Sequence, residues 1–225
     1  MAKPSKPEIS EETHWEKAAK TRMGKYLTQV ETNFIQNALD FSKLNVIMDV
    51  GAEAGRFSQL NSNAETISID IDAYGLKRLK QKAPNTHVIQ ADARKIPLKN
   101  DVLDATTMIE VLDYIPELDQ AFSEAYRTLK TDATLIVSFG NKSSLKAKLR
   151  RLSGKSYQHA YKNVTQALTK TGFKIKKKTG YNWLLFGRMS QNPTIPFLTT
   201  MERLIGLRRI PSQSPWVIVH AVKTK

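Results

Sequence analysis

The chain has 225 residues, with 35 Lys and Arg against 21 Asp and Glu, for a formal net charge of +14. It contains no cysteine, which excludes disulfide bonds, thiolate metal sites and a cysteine nucleophile. No stretch approaches the roughly 20 apolar residues of a membrane-spanning helix. The first residues lack the apolar core of a secretory signal, so we expect a cytoplasmic protein.

The charge is unevenly distributed along the chain. Residues 1–132 carry 17 Lys and Arg and 20 Asp and Glu, whereas residues 133–225 carry 18 Lys and Arg and one acid, Glu202. The first part therefore has a net charge of −3 and the second a net charge of +17. This asymmetry indicates an anionic partner for the second part, and it leaves nucleic acid, an anionic membrane surface and an acidic substrate open.

Short apolar runs alternate with helical patterns through most of the chain. Apolar residues at helical spacing predict one helix over residues 15–41. Strands are predicted at residues 46–50, 66–69, 87–89, 102–109 and 134–139, with helices at 74–82 and 118–129. Later patterns predict a helix at 163–171 and strands at 173–178 and 216–222. The alternation indicates βαβ units in a parallel sheet, with a ligand site beyond the carboxyl ends of its strands.

Polar residues and glycines stand where the first three predicted strands end. The first strand leads into Gly51 and Gly55, which permit a tight turn and close approach of a ligand to the backbone. Asp70 lies 19 residues beyond Gly51, where an acid can hold both hydroxyls of a ribose. The alternative role, capping the next helix, fits Asp72 better. At the third strand end, Asp92 can accept a hydrogen bond from an adenine amino group.

Together these segments resemble the class I S-adenosylmethionine-dependent methyltransferases, particularly the branch sometimes called methyltransferase type 11. The resemblance spans about residues 44–140 and rests on VIMDVGAEAGRF, ISIDID, IQADARKIPLKNDVLDATTMIEVLDYI and AFSEAYRTLKTDATLIVSFGN. It implies an α/β fold, a doubly wound, mostly parallel Rossmann-like sheet of seven strands whose last strand is antiparallel. It also implies S-adenosyl-L-methionine as the cofactor. We expect residues 1–43 to form a leader and cap helix, and residues 44–225 the methyltransferase domain, with a basic lid at 142–162 and an insertion at 181–215.

The resemblance also implies a set of cofactor-binding residues. In chain order these are Asp49, Gly51, Ala52, Glu53, Gly55, Asp70, Ile71, Asp92, Ala93, Glu110 and Val111. Asp70 is expected at the ribose, Ile71 against the adenine, and Glu110 beneath the sulfonium. Glu53 departs from the family, which usually has a glycine at that position, and its carboxylate is placed to meet the cationic amine of the cofactor.

Candidates for contact with the methyl acceptor follow the fourth strand and the predicted lid. They are Asp113, Tyr114 and His159, for which helix capping by Asp113 and a solvated loop position for His159 are the alternatives. The four histidines are scattered without ligand spacing, so we expect no metal site.

The favoured function is methyl transfer to a small, glycan or lipid-linked acceptor, expected to be anionic. An RNA methyltransferase is the alternative, although residues 110–113 lack the Asn/Asp-Pro-Pro-Tyr/Phe run of enzymes that methylate base amino groups. A non-catalytic protein that retains the fold is a third reading, because of Glu53. A nicotinamide dehydrogenase is disfavoured because the loop has no third glycine in register.

The basic, apolar insertion is typical of a helix at a membrane surface, or of apolar residues packed on the core. Nucleic acid is the less favoured partner, and the oligomeric state is open.

Overall fold

A computed structural model describes residues 11–60, 64–151 and 158–225, and the side chains of residues 150 and 151 are not part of that description. Across these ranges seven strands form one sheet in the order β3-β2-β1-β4-β5-β7-β6. The strands are β1 (Val46–Val50), β2 (Glu65–Asp70), β3 (His87–Gln90), β4 (Leu103–Met108), β5 (Leu129–Gly140), β6 (Phe173–Tyr181) and β7 (Trp216–Lys223). The last strand, β7, is antiparallel to both of its neighbours, and the pairs among β1 to β5 are parallel. The predicted fold class is confirmed.

Helices cover both faces of this sheet. They are α1 (His14–Lys20), α2 (Arg22–Ala38), α3 (Ala73–Lys82), α4 (Leu118–Thr128), α5 (Leu145–Arg151), α6 (Tyr161–Thr171) and α7 (Ile195–Leu204). Side chains alternate along each strand, so that Ile47 of β1 joins the apolar cluster beneath α2, while Met48 joins the cluster beneath α4 and α6. The two clusters fix the sheet between its helices and hold the carboxyl ends of the strands at a common edge.

The predicted helix over residues 15–41 is divided in the structure. Thr21 is extended, with φ −70° and ψ 162°, and it ends α1 and begins α2. Its hydroxyl oxygen accepts a hydrogen bond from the Gly24 amide at 2.9 Å, as an N-terminal helix cap does. The apolar stripe continues through the break, which is why the sequence pattern did not reveal it. The break separates α2, which packs on the sheet, from α1, which lies over the carboxyl edge.

The connection from β1 to β2 is formed by turns rather than by a helix over its described residues 51–60. Asp49, at the end of β1, accepts hydrogen bonds from the hydroxyls of Ser58 at 2.6 Å and Thr107 at 2.9 Å. Because Asp49 is buried, burial raises its pKa. These bonds tie the turn segment to the sheet where a helix would otherwise pack.

The insertion between β6 and β7 contains α7, which packs against α2. Tyr26 of α2 donates a hydrogen bond to Glu202 of α7 at 2.6 Å. Part of the predicted lid at 142–162, residues 152–157, lies outside the described residues. The described part contains α5, whose Lys146 donates a hydrogen bond to the Asn182 side chain at 2.7 Å and so ties the helix to the insertion. Within the described ranges, no helix is long and apolar enough to cross a membrane.

Candidate active site

A cavity of about 1000 Å³ opens at the carboxyl edge of the parallel strands. The segments that follow β1, β2, β3 and β4 form its walls and floor, and α1 forms its roof. All eleven residues predicted to bind the cofactor lie in or beside these segments, and ten of them line the cavity: Asp49, Gly51, Ala52, Glu53, Asp70, Ile71, Asp92, Ala93, Glu110 and Val111. Gly55 is the exception. The site therefore lies where the strand pattern placed it.

The turn after β1 approaches the opposite wall closely. Gly51 has φ +72°, and a Cβ added there would lie 2.6 Å from Cγ2 of Val111. Glu53, which replaces the usual glycine, also has a positive φ of 46°. Its carboxylate accepts a hydrogen bond from the Ala54 amide at 2.8 Å. The turn therefore accommodates Glu53 with its backbone in the left-handed region, at some cost in strain.

Gly55 acts away from the cavity. Its φ is +84°, and an added Cβ would lie 2.3 Å from Cδ1 of Leu79 on α3. This glycine packs the turn closely against α3 rather than contacting the space where a ligand lies.

Asp70 holds two neighbouring segments together at the end of β2. Its carboxylate accepts hydrogen bonds from the amides of Glu53 and Asp72, both at 2.8 Å. Asp72 in turn accepts from the Tyr74 amide at 2.9 Å and caps α3, as the sequence predicted. An ionised carboxylate offers about four acceptor positions, so Asp70 retains capacity for ligand hydroxyls.

The wall beyond Asp70 is apolar, with charged groups at its rim. Ile71 is 69 % exposed and lines the cavity, and the buried Ala93 lines it from the next segment. Asp92 is paired with Arg94 at 2.6 Å, and hydrogen bonds from Arg94 lower the pKa of Asp92. Asp92 is thus held ionised at the rim, with part of its acceptor capacity already used by Arg94.

The floor contains a buried group of charges that sequence patterns did not reveal. Glu110 has φ +59° and is ion-paired with Arg56 at 2.9 Å and with Arg188 of the insertion. Behind them Glu31 of α2, fully buried, lies 3.6 Å from Arg56 and accepts a hydrogen bond from Tyr181 at 2.6 Å. Burial beside Arg56 lowers the pKa of Arg188 to about 10. Two carboxylates and two guanidinium groups therefore balance each other beneath the cavity.

The roof helix α1 is fastened to α3 on the far side of the cavity. Glu16 receives hydrogen bonds from Arg78 at 2.5 Å and Lys82 at 3.0 Å. Burial alone would raise the pKa of Glu16. The hydrogen bonds from Arg78, Lys82 and the Thr13 amide outweigh that effect and lower the pKa to about 2. The sequence predicted a cap helix here. It did not reveal how the helix is anchored, because Glu16 pairs with residues more than 60 positions away in the chain.

The three predicted acceptor-side residues are placed differently. Tyr114 is largely exposed and lines the cavity. Its pKa is raised, first because its hydroxyl is partly desolvated and second because of the negative charge of the nearby Asp113. Asp113 lies outside the cavity lining and accepts a hydrogen bond from the Gln158 amide at 3.2 Å. The buried His159 ring lies with Nε2 at 2.8 Å from the Ile115 carbonyl oxygen and 3.1 Å from that of Leu112. This geometry fixes the segment before α4 and supports a structural role for His159.

Metal ligation has no candidate cluster in the parts of the chain that are described. Over residues 11–60, 64–151 and 158–225, no group of three or more His, Asp or Glu is arranged to hold a metal ion.

Sequence comparison relates the chain to known methyltransferases. Residues 48–137 match the family described as methyltransferase domain. The chain is 34 % identical over 110 residues to an uncharacterized protein of Methanocaldococcus jannaschii, covering 49 % of this chain and 45 % of that protein. It is 28 % identical over 179 residues to the malonyl-[acyl-carrier protein] O-methyltransferase of Geobacter sulfurreducens, covering 70 % and 65 %. It is 33 % identical over 96 residues to sterol methyltransferase-like 3 of Botryococcus braunii, covering 39 % and 24 %. The chain thus spans less than half the length of the first and third of these relatives.

Solved structures share the fold over nearly the whole chain. A putative S-adenosylmethionine-dependent methyltransferase from Listeria monocytogenes matches with a TM-score of 0.67 and 16 % identity, covering 89 % of this chain and all of that one. A possible histamine N-methyltransferase from Thermotoga maritima matches with a TM-score of 0.64 and 15 % identity, covering 90 % and 91 %. At such identities the likeness concerns the fold alone.

Proposed function

We propose that this chain, a class I S-adenosylmethionine-dependent methyltransferase, binds S-adenosyl-L-methionine in the cavity at the carboxyl edge of the sheet. It transfers the methyl group of the cofactor to a small, glycan or lipid-linked acceptor that carries negative charge. The observation that carries the proposal is the convergence of Asp70, Ile71 and Glu110 on one cavity. The Asp70 carboxylate would meet the ribose, the apolar Ile71 would meet the base, and the floor at Glu110 would lie beneath the sulfonium of this cofactor.

The residues of the cavity fit the cofactor chemically. Gly51 leaves a space that a Cβ would fill, so a ligand can approach the backbone there. Ile71 presents an exposed apolar surface that the adenine would cover. The carboxylate of Glu53 supplies negative charge on the side where the cationic methionine end would lie, while Glu110, whose charge is balanced by Arg56 and Arg188, forms part of the floor.

The protein's contribution to the reaction is mainly alignment. S-adenosyl-L-methionine supplies a methyl group that is already activated on a sulfonium, so proximity and exclusion of water carry much of the catalysis. The roof helix α1 covers the cavity and excludes water from it. Tyr114, whose pKa is raised, remains protonated near neutral pH and donates a hydrogen bond to the acceptor rather than removing a proton.

An anionic acceptor is favoured by a lysine at the cavity and by the name of one relative. Lys25, near the start of α2, lines the cavity, whereas Lys20, at the end of α1, lines it but is paired with Glu12. One matched relative is named for a malonyl group on a carrier protein, whose free carboxylate is anionic, and another is named for sterols. The first name supports an anionic acceptor, and the second supports an apolar one.

The test is transfer of a labelled methyl group to a panel of acceptors. The panel contains a malonyl thioester, an anionic phospholipid, an acidic glycan and a structured RNA. We expect label in one of the first three, and loss of that label with Asp70→Ala. The matched control is Asp119→Ala, which removes a carboxylate from an exposed pair with Lys170. Labelling of the RNA alone would favour the RNA methyltransferase reading, and binding of the cofactor with no labelling at all would contradict the proposed acceptor class.

A further inference from the structure

Helix α7 presents an apolar stripe to solvent. Phe197, Met201, Leu204 and Ile205 recur at positions i, i+4, i+7 and i+8, which lie on one face of a helix. Phe197 is 67 % exposed, Leu204 68 % and Ile205 61 %. The opposite face of α7 is the one that packs inward, through the buried Ile195 and Glu202. The alternative that these apolar residues pack on the core is therefore wrong for this stripe.

The charge around the stripe is positive. Arg203 of α7 and Arg209 of the turn that follows it are exposed. Glu202, the single acid of residues 133–225, is 2 % exposed and accepts hydrogen bonds from Tyr26 and Arg208. Since Glu202 is buried and paired with Arg208, the described residues of α7 and of the turn after it expose cations and apolar side chains but no carboxylate.

A second exposed apolar pair lies on α5, which is joined to the same insertion. Leu145 and Leu149, at i and i+4, are 69 % and 47 % exposed. Lys146, on the other side of α5, hydrogen-bonds Asn182 at 2.7 Å and also the Leu184 carbonyl, so the helix is fixed to the insertion. Exposed apolar groups of this size on a monomer ordinarily mark a contact surface.

We propose that α7 and the turn that follows it dock on the surface of an anionic lipid bilayer, with Phe197, Leu204 and Ile205 inserted and the exposed Arg203 and Arg209 in the headgroup region. A helix that carries large apolar residues flanked by cations lies in the headgroup region of such a bilayer, held by apolar burial and by attraction to the lipid phosphates. A two-fold contact between copies of this chain is disfavoured, because it would bring Arg203 and Arg209 against the same cations.

The insertion that carries this face is also tied to the cavity floor. The insertion that carries α7 begins with the segment in which Arg188 is paired with Glu110 on the cavity floor. Docking would therefore hold the cavity close to the bilayer surface. The proposal does not depend on methyl transfer, because vesicle binding is measured without cofactor or acceptor.

The experiment is co-sedimentation of the full chain with vesicles of phosphatidylglycerol and phosphatidylcholine in equal parts, compared with vesicles of phosphatidylcholine alone. Two double variants address the two forces: Phe197→Ser with Leu204→Ser, and Arg203→Glu with Arg209→Glu. The matched charge control is Lys95→Glu with Lys99→Glu, which are exposed in the crossover from β3 to β4. Thermal unfolding of each variant verifies that it is folded, and little change is expected because the altered side chains are exposed.

We expect binding to the anionic vesicles, weaker binding to the neutral ones, and an affinity about tenfold lower or more for each α7 double variant. The Lys95/Lys99 control should bind like the wild type. Absence of vesicle binding, or binding that neither α7 variant weakens, would overturn the proposal. Two other results would also overturn it by identifying a different occupant: a dimer that the Phe197/Leu204 variant dissociates without vesicle binding, or salt-sensitive retention of RNA without vesicle binding.

Discussion

Replacing Glu110 by glutamine removes one of the two negative charges beneath the cavity and keeps the shape of the side chain. The Glu110 side chain is 7 % exposed, and its partners Arg56 and Arg188 are 21 % and 13 % exposed. In the wild type the two guanidinium groups are balanced by Glu110 and Glu31, whereas the variant has one buried positive charge in excess. Breaking a buried pair in this way costs about 3–5 kcal/mol, and the partial exposure of Arg56 places the expected cost near the lower end, about 3 kcal/mol.

The assay is urea unfolding followed by circular dichroism, with a thermal melt beside it. For a chain of this size about 3 kcal/mol corresponds to a fall of roughly 6–12 °C in Tm. The matched control is Glu117→Gln, because Glu117 is also paired with an arginine, Arg94, but is 46 % exposed. Its expected cost is about 1 kcal/mol or less.

A second substitution tests the charge balance itself. Adding Arg188→Met to Glu110→Gln restores neutrality, so the double variant should be more stable than Glu110→Gln alone. Two results would refute the account of a balanced buried cluster. One is an equal loss of unfolding free energy for Glu110→Gln and Glu117→Gln. The other is a double variant whose loss equals the sum of the losses of Glu110→Gln and Arg188→Met.

Two further predictions concern the roof and the turn of the cavity. Glu16→Gln should lower the unfolding free energy at pH 7. The difference in unfolding free energy from the wild type should shrink as pH falls from about 4.5 toward 2. The folded-state pKa of Glu16 is lowered to about 2, so the stabilisation by its carboxylate is lost in that window. Melts at several pH values measure this, and a pH-independent difference would contradict it. Gly51→Ala should weaken binding of S-adenosylhomocysteine and cost about 1–2 kcal/mol of stability, because its φ is +72° and its Cβ would meet Val111. Gly187→Ala, with nothing within 4 Å of its added Cβ, is the control in titration calorimetry and unfolding, and an equal effect of the two substitutions would contradict the argument.

Much of the fold could be predicted because it depends on local patterns. Buried parallel strands appear as apolar runs, such as residues 46–50, and amphipathic helices such as α4 appear at their own period. The break at Thr21 escaped prediction because the apolar stripe continues across it and one hydroxyl cap decides it. The strand β5 begins at Leu129, five residues before its predicted start, because Leu129 already pairs with Leu103 of β4. An irregularity in the register, which the sequence pattern does not show, separates that pair from the pair of Thr134 with Ala105.

The site was predictable only where its residues follow strand ends. Asp70 and Glu110 occupy such positions, and the chain topology then brings them to one edge. Glu31 and Arg188 could not be found in this way, because neither follows a strand of the parallel sheet. Arg188 reaches Glu110 across 78 positions of the chain, and Glu31 reaches Arg56 from α2. His159 lies outside the cavity lining, and its ring is within hydrogen-bond distance of two backbone carbonyls, partners that its local sequence does not indicate.

The measurement that tests the central claim most directly is calorimetric titration of the purified chain with S-adenosylhomocysteine. We expect micromolar binding by the wild type and by Asp119→Ala. Asp70→Ala should bind about 10- to 100-fold more weakly, since the ribose loses its acceptor and the Glu53 turn loses its anchor. Ile71→Ala, at an exposed position, should leave Tm unchanged and weaken binding by about tenfold. A folded wild type that binds no S-adenosylhomocysteine, or an affinity indifferent to both Asp70 and Ile71, would contradict the assignment of this cavity to the cofactor.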